Sequence, residues 1–309
     1  MPFDMEMSEY KEDMELKKSL LQHCLVTGGA GFIGTNLIKR LLKDGHTVVS
    51  VDNYSTGNKD NHQDGVVYVD GDVSNESTWD KLKDDDYDVV FHMAALARIK
   101  PSFKNPTEVI NANVNGTANT LQFARDKDIP LIFAGSSSFH GGVYKNPYTF
   151  SKWEAEELCR LYQELFKSKI SICRFYNVYG DYMIDEGSYR TVLSIFLNQI
   201  KNDEVLTITS DGKQRRDFTH VDDIVDAMVK IFNQESYGHI FELGRGKNYS
   251  MKEVVMMISK LSSKSVSWTF IPEIVGEMRD TLCESKLARD ILGWTPKRNL
   301  KSWLKEKLI

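Results

Sequence analysis

The stretch HCLVTGGAGFIGTNLIKRLLKDG, residues 23 to 45, sets an apolar run, a glycine-rich turn and a helix-period pattern in direct succession. That order predicts a strand that enters a tight turn and leaves it as a helix. Gly28 can take the turn, Gly31 lets the backbone approach a pyrophosphate, and Gly34 permits close helix–strand packing. The phosphates would then meet the positive end of the helix dipole. Asp52 ends the next apolar run at the ~20-residue distance where an acidic side chain meets the ribose of a dinucleotide. Its carboxylate would accept from a ribose diol and repel a 2′-phosphate, so the expected cofactor is NAD rather than NADP.

The same rhythm continues. Apolar runs at 47–53, 66–73, 89–95, 130–137 and 170–180 alternate with helical patterns at 34–45, 105–127 and 149–167. Runs that are apolar almost throughout suit strands covered on both faces, which predicts an α/β fold with a Rossmann-type doubly wound parallel sheet. Beyond about residue 180, helical segments at 191–202, 221–234 and 251–262 mix with short strands at 205–209, 239–244 and 266–271. We read 1–20 as an extension forming a short exposed helix, 21–178 as the NAD-binding domain and 179–309 as a smaller substrate-binding α/β domain. Some segments of the latter are expected to return to the first.

Composition excludes several classes. The net charge is −5 and no useful basic run occurs, which argues against nucleic acid as a partner. No stretch nears the ~20 apolar residues of a membrane span, and the acidic N-terminus is wrong for a secretory signal. Cys24, Cys159, Cys173 and Cys283 lie far apart and read as buried reduced thiols of a cytoplasmic protein. The 7 histidines lack ligand spacing, so no metal is expected.

FAGSSSFHGGVYKNPYTFSK, residues 133 to 152, carries the candidate reactive groups. A nicotinamide at the carboxyl ends of the strands would lie near the end of the fifth strand and the start of the following helix. Tyr148 and Lys152, at i and i+4, share one face of that helix. A phenol with its ordinary pKa of ~10 needs a cation nearby to act as a base at neutral pH. Lys152 supplies one, the positive nicotinamide ring would add another, and Ser136 could hold the same substrate hydroxyl.

TGGAGFIG, DNYSTG, GDV, HMAA, NVNGT, SSS, PYTFSK, RFYNVYG, RRDFTHVDDI and LGWTP follow one another across nearly the whole chain. In these motifs and their order the chain resembles the extended short-chain dehydrogenase/reductases, within the NAD-dependent nucleotide-sugar epimerase/dehydratase family. The resemblance implies that Phe32 and Ile33 join the glycines at the cofactor, and that Asn53, Ser55, Thr56 and Gly57 join Asp52. It implies that Asp72 and Val73 flank the adenine, that Ala94, Ala95 and Leu96 line the cofactor, and that Tyr176 lies near the nicotinamide. Tyr148 and Lys152 would touch the cofactor as well; Ser136 and Ser137 would meet the sugar, with Asn177 and Arg216 on the nucleotide diphosphate. A guanidinium suits that last task because it grips phosphate bidentately.

Dehydratases and decarboxylases of this family place an acidic residue directly after the Ser/Thr. Here Ser136 is followed by Ser137 and Ser138, which implies a 4-epimerase. By resemblance, Tyr148 takes the C4 hydroxyl proton while NAD takes the hydride, and the 4-keto sugar turns over before the hydride returns to its other face. A nucleotide-4-keto-sugar reductase using NAD(P)H, or a catalytically weak NAD-binding scaffold, are the alternatives. The N-terminal extension resembles that of UDP-N-acetylhexosamine 4-epimerases, and Thr281 stands where a bulky tyrosine would exclude an N-acetyl group. UDP-GlcNAc/UDP-GalNAc or a related uronate is therefore expected, with UDP-Glc/UDP-Gal next.

The chain also departs from the family. The segment between Ser136 and Tyr148 is about half the usual length, and His140 replaces a usual tyrosine. His140 reads as a loop residue facing solvent, with a second acid/base as the alternative. Ile274 or Val275 stands where a second diphosphate arginine is usual; Arg279 would substitute, or the nucleotide would be held less tightly. Helices at 107–126 and 149–166 carry apolar residues on more than one side, including Trp153, Leu158 and Leu161. By resemblance they pair across a two-fold axis into the four-helix bundle of a homodimer.

Overall fold

The computed structural model describes residues 21–308, so the reading of 1–20 as a helix lies outside the described residues. Seven strands form one parallel sheet: β1 (His23–Thr27), β2 (Thr47–Asp52), β3 (Val67–Asp70), β4 (Val89–His92), β5 (Leu131–Ser136), β6 (Ile170–Phe175) and β7 (Ile240–Leu243). Their spatial order is β7-β6-β5-β4-β1-β2-β3, the Rossmann arrangement expected from the uninterrupted apolar runs. The order reverses between β1 and β4, and there the carboxyl ends of the strands diverge into a crevice.

Helices cover both faces because the strand residues alternate between them. Cys24, Val26, Phe91 and Ile132 pack with α1 (Phe32–Lys43) and α4 (Val221–Asn233). Leu25, Val49, Val90 and Phe133 pack with α2 (Gly116–Asp126) and α3 (Pro147–Phe166). A third cluster gathers Phe196, Leu206, Ile208, Val254 and Trp303 from the second half of the chain.

Three local expectations are corrected. The helix expected at 105–127 is broken: Pro106–Ile110 is followed by a π-helical turn at Asn111–Asn115 before α2 begins. The extra residue in that turn is accompanied by the burial of the Asn113 amide, which bonds outside its own helix. The strand expected at 170–180 ends at Phe175; Asn177 takes a positive φ of 30°, and Val178–Tyr179 pairs with Thr219–His220 instead. Residues 66 and 71–73 lie outside β3, and Gly71 approaches the Thr78 side chain at a distance no Cβ would tolerate.

Candidate active site

The crevice above β1, β2 and β4 is a groove of about 930 Å³ including its open mouth. Gly28, Gly31, Phe32, Ile33 and Gly34 form one wall, and Asp52, Asn53, Ser55, Thr56, Asp72 and Val73 the adjoining end. Ala94, Ala95 and Leu96 complete it from the loop after β4. A side chain at Gly28 would collide with Ala94, and one at Gly34 would lie 2.1 Å from the Gly28 carbonyl. At Gly31 a Cβ would meet only the Gly28 carbonyl, at 3.2 Å, which leaves that face of the backbone open to the groove. No side chain caps α1 and no acidic residue occupies its first turn, so its amides and dipole are available to an anion. This cradle fits a dinucleotide pyrophosphate.

Asp52 is fixed by the turn it serves. One carboxylate oxygen accepts from the Ala30 amide at 2.9 Å and the other from the Tyr54 amide at 2.8 Å. Burial raises its pKa, and these two bonds work against that rise. Gly57 does not line the groove but packs against the carboxylate, 2.9 Å from where its Cβ would stand. Asn53 donates to Asp72 at 2.9 Å, joining the two acidic corners at this end.

Ser136 ends β5, and Tyr148 stands in the first turn of α3. That helix begins where it does because the Asn146 side chain caps the Thr149 amide at 2.8 Å and Pro147 fits the first helical position. The Tyr148 hydroxyl donates to Ser136 Oγ at 3.1 Å, and Ser136 in turn donates to Ser138 Oγ at 2.9 Å. Ser137 is buried beside them. Lys152 is 5% exposed, and its ammonium stands 4.4 Å from the centre of the Phe133 ring. Burial pulls its pKa down to about 8, with Glu156 opposing.

For Tyr148 the electrostatics bring in a cation other than Lys152. Burial raises the phenol's pKa; the bond to Ser136 and the charge of Arg98 lower it, and Glu156 raises it. The cation that bears on the phenol is thus Arg98. Below this site a buried chain of charges runs from Glu156 to Arg174 at 2.7 Å, and on to Glu242 at 3.0 Å. Glu242 also accepts from Tyr176 at 2.6 Å and bonds His140 at 2.9 Å. Tyr176, expected near the nicotinamide, is buried, does not line the groove, and has its pKa raised by burial and by Glu242. The His140 side chain is 45% exposed and anchored to that carboxylate rather than free in a loop.

On the other side, the Asn177 amide donates to Thr281 Oγ1 at 2.9 Å, which brings two expected substrate residues together. Arg216 bonds Glu277 at 2.6 Å and the Arg215 carbonyl at 2.9 Å. Arg279 is turned to Asp211 at 2.6 Å, with its side chain 58% exposed, and takes no part in the groove. Arg98, Ile184 and Tyr189 line the groove and were not singled out in the sequence. Among the described residues no group of three or more His, Cys, Asp or Glu side chains could hold a metal ion, and no helix is long and apolar enough to cross a membrane.

The model of the NAD dependent epimerase/dehydratase family matches residues 24–244. A putative UDP-glucose 4-epimerase of Methanocaldococcus jannaschii is 32% identical over 297 residues, 91% of this chain and 95% of that protein. A UDP-N-acetyl-alpha-D-glucosaminuronate decarboxylase of Bacillus cytotoxicus is 31% identical over 81% of this chain and 84% of its own length. The crystal structure of a UDP-glucose 4-epimerase from Thermotoga maritima with UDP-glucose superposes with a TM-score of 0.86 at 25% identity, covering 93% of this chain and 97% of that one.

Proposed function

The chain belongs to the NAD dependent epimerase/dehydratase family, and from that premise we propose that it inverts C4 of a UDP-linked sugar through a transient 4-keto sugar, with NAD as its cofactor. The observation that carries this reading is the 3.1 Å bond between Tyr148 and Ser136, in a chain whose glycine turn lines a groove fit for a dinucleotide. Gly28, Gly31, Phe32, Ile33 and Gly34 would hold the pyrophosphate, and Asp52 the adenosine ribose. When bound, NAD supplies a hydride acceptor that is also the hydride donor for the return step. The protein's own task is the proton. Tyr148 takes it from the C4 hydroxyl, Ser136 orients that hydroxyl, and the charge of Arg98 favours the phenolate.

Decarboxylation and dehydration need a further acid or base at the sugar. The carboxylate nearest Ser136 is Glu156, which bonds Arg174 through Nε at 3.0 Å and Nη2 at 2.7 Å, and is 1% exposed. That carboxylate is committed to Arg174, and Ser137 and Ser138 offer no carboxyl group. Asp52 opposes the phosphate of NADPH, which weighs against the reductase. The test is proton NMR of UDP-hexoses and UDP-N-acetylhexosamines incubated with purified protein and no added cofactor. Inversion at C4 with bound NAD retained is expected; stoichiometric consumption of NAD(P)H, release of carbon dioxide, or no conversion would overturn the reading.

A further inference from the structure

From Gly180 to Thr191 the chain runs without helix or strand, and two residues of that run, Ile184 and Tyr189, line the cofactor groove together with Ala94–Arg98. Its two halves are held differently. In the first, Asn36 of α1 donates to the Asp181 carbonyl at 2.9 Å and Lys39 to the Tyr182 hydroxyl at 3.2 Å. Ser194 and Asn198 donate to the carbonyls of Ile184 and Asp185, at 2.7 and 2.6 Å. In the second half, residues 186–190, one side chain supplies every bond from outside the run. Arg98 Nε donates to the carbonyls of Tyr189 at 2.9 Å and Arg190 at 3.3 Å, while its Nη1 donates to the Ala97 carbonyl at 2.7 Å. Among the described residues nothing else outside the run bonds 186–190, and Arg190 Nε reaches only back to the Gly187 carbonyl at 3.1 Å.

Glu186, Gly187 and Ser188 are exposed, and Gly187 turns the chain at a φ of 71° with no neighbouring group within 4 Å of where its Cβ would stand. A stretch with so few contacts opens locally at little cost unless something fastens it. Here the fastening is to backbone carbonyls, which water can satisfy when the stretch lifts. The guanidinium therefore staples two walls of the groove, the loop after β4 and the run that carries Tyr189. We propose that residues 183–190 form a strap over the cofactor groove and that Arg98 is the positioning residue that clasps it, so that bound NAD leaves when the bonds to Tyr189 and Arg190 open. The clasp rests on the NAD reading of the groove and is independent of the sugar's identity. In a reaction whose hydride must return to the sugar it came from, a cofactor kept in place through the cycle is what such a strap provides.

The test is the rate at which loaded protein loses radiolabelled NAD under an excess of unlabelled NAD. Arg98→Met should speed release roughly tenfold or more. Arg98→Lys, which keeps a donor for one carbonyl but not the fork that spans three, should fall between. Trypsin supplies a second readout, because Arg190 lies in the strap and its peptide bond becomes cleavable when the strap lifts. In Arg98→Met, cleavage after Arg190 should accelerate while cleavage elsewhere stays as in the wild type, which a residue that merely supports the fold would not produce. An unchanged release rate would overturn the proposal. So would faster release with Arg190 as resistant as before, which would make Arg98 a direct ligand of the cofactor, or cleavage that accelerates throughout the chain. Should Arg98→Met fail to fold, Arg98→Lys carries the test, with release roughly threefold faster expected and an unchanged rate fatal. Wild-type protein that neither carries nor takes up NAD would overturn the cofactor reading itself, and the strap with it.

Discussion

Tyr148 and His92 are both governed by burial, and in both it favours the neutral form. For Tyr148 that raises the pKa, so proton removal depends on the Ser136 bond and on Arg98 to counter the desolvation. Replacing Tyr148 by Phe removes only the hydroxyl; turnover should fall about 10²- to 10⁴-fold while bound NAD, read from its absorbance, is retained. Unchanged turnover would remove Tyr148 from the chemistry. His92 bonds Thr27 at 2.7 Å and Thr117 at 3.0 Å, and burial, helped by Lys152, lowers its pKa to about 3. A histidine depressed on folding stabilises the native state above its unfolded pKa of ~6.5 and surrenders that contribution as the pH falls toward its folded value. Urea midpoints should therefore drop between pH 7 and pH 5, and His92→Gln should flatten the drop. The spacing of Tyr148 and Lys152 was legible because i,i+4 is local. Arg98 was not, because nothing in ALARIKPSF marks one cation over another until Tyr189 and Arg190, ninety residues away, fold onto it.

At the scale of elements, apolar runs announced the strands of the sheet because the inner ones, β1, β2, β4, β5 and β6, are buried, whereas the break at Asn111–Asn115 left no trace in the periodicity. The π turn is explained only by its distant partners. Asn113 Oδ1 accepts from the Leu96 amide at 2.8 Å, and its Nδ2 donates to the Leu96 carbonyl at 3.1 Å and to Ser151 Oγ at 2.8 Å. It thus ties the loop that lines the groove to the helix that carries Tyr148 and Lys152. Asn113→Ala would leave the buried Leu96 amide and carbonyl unpaired, costing about 1–3 kcal/mol. The expected result is a lower urea midpoint together with weaker NAD retention on dialysis. A loss of stability with NAD held as before would show that the tie shapes the core but not the groove.

For the whole molecule, the half of the chain that hydropathy could not order is placed by contacts far apart in sequence. β7 pairs with β6 across nearly seventy residues, Ile240 opposite Ile172, and the LGWTP tryptophan, Trp294, donates to the Asp223 carbonyl at 2.8 Å. Local pattern marks such segments as strand or turn and is silent on which sheet or helix receives them. The same scale raises the question of what covers α3. Its last turns leave Leu161 44%, Leu165 63% and Phe166 41% exposed, while the Trp153 and Leu158 faces are only partly covered. Apolar side chains that recur along one helix and stay wet in the monomer are what a helix-to-helix interface would bury, and a two-fold axis lets α3 meet its own copy. The protein should then sediment at about twice its 35.4 kDa chain mass. A double substitution, Leu161→Glu with Leu165→Glu, would set like charges against each other across the axis and should yield monomers. Because both side chains point away from the core, the far-ultraviolet circular dichroism should not change. A wild type that sediments as a monomer, or a charged variant that remains dimeric, would place the interface elsewhere or remove it.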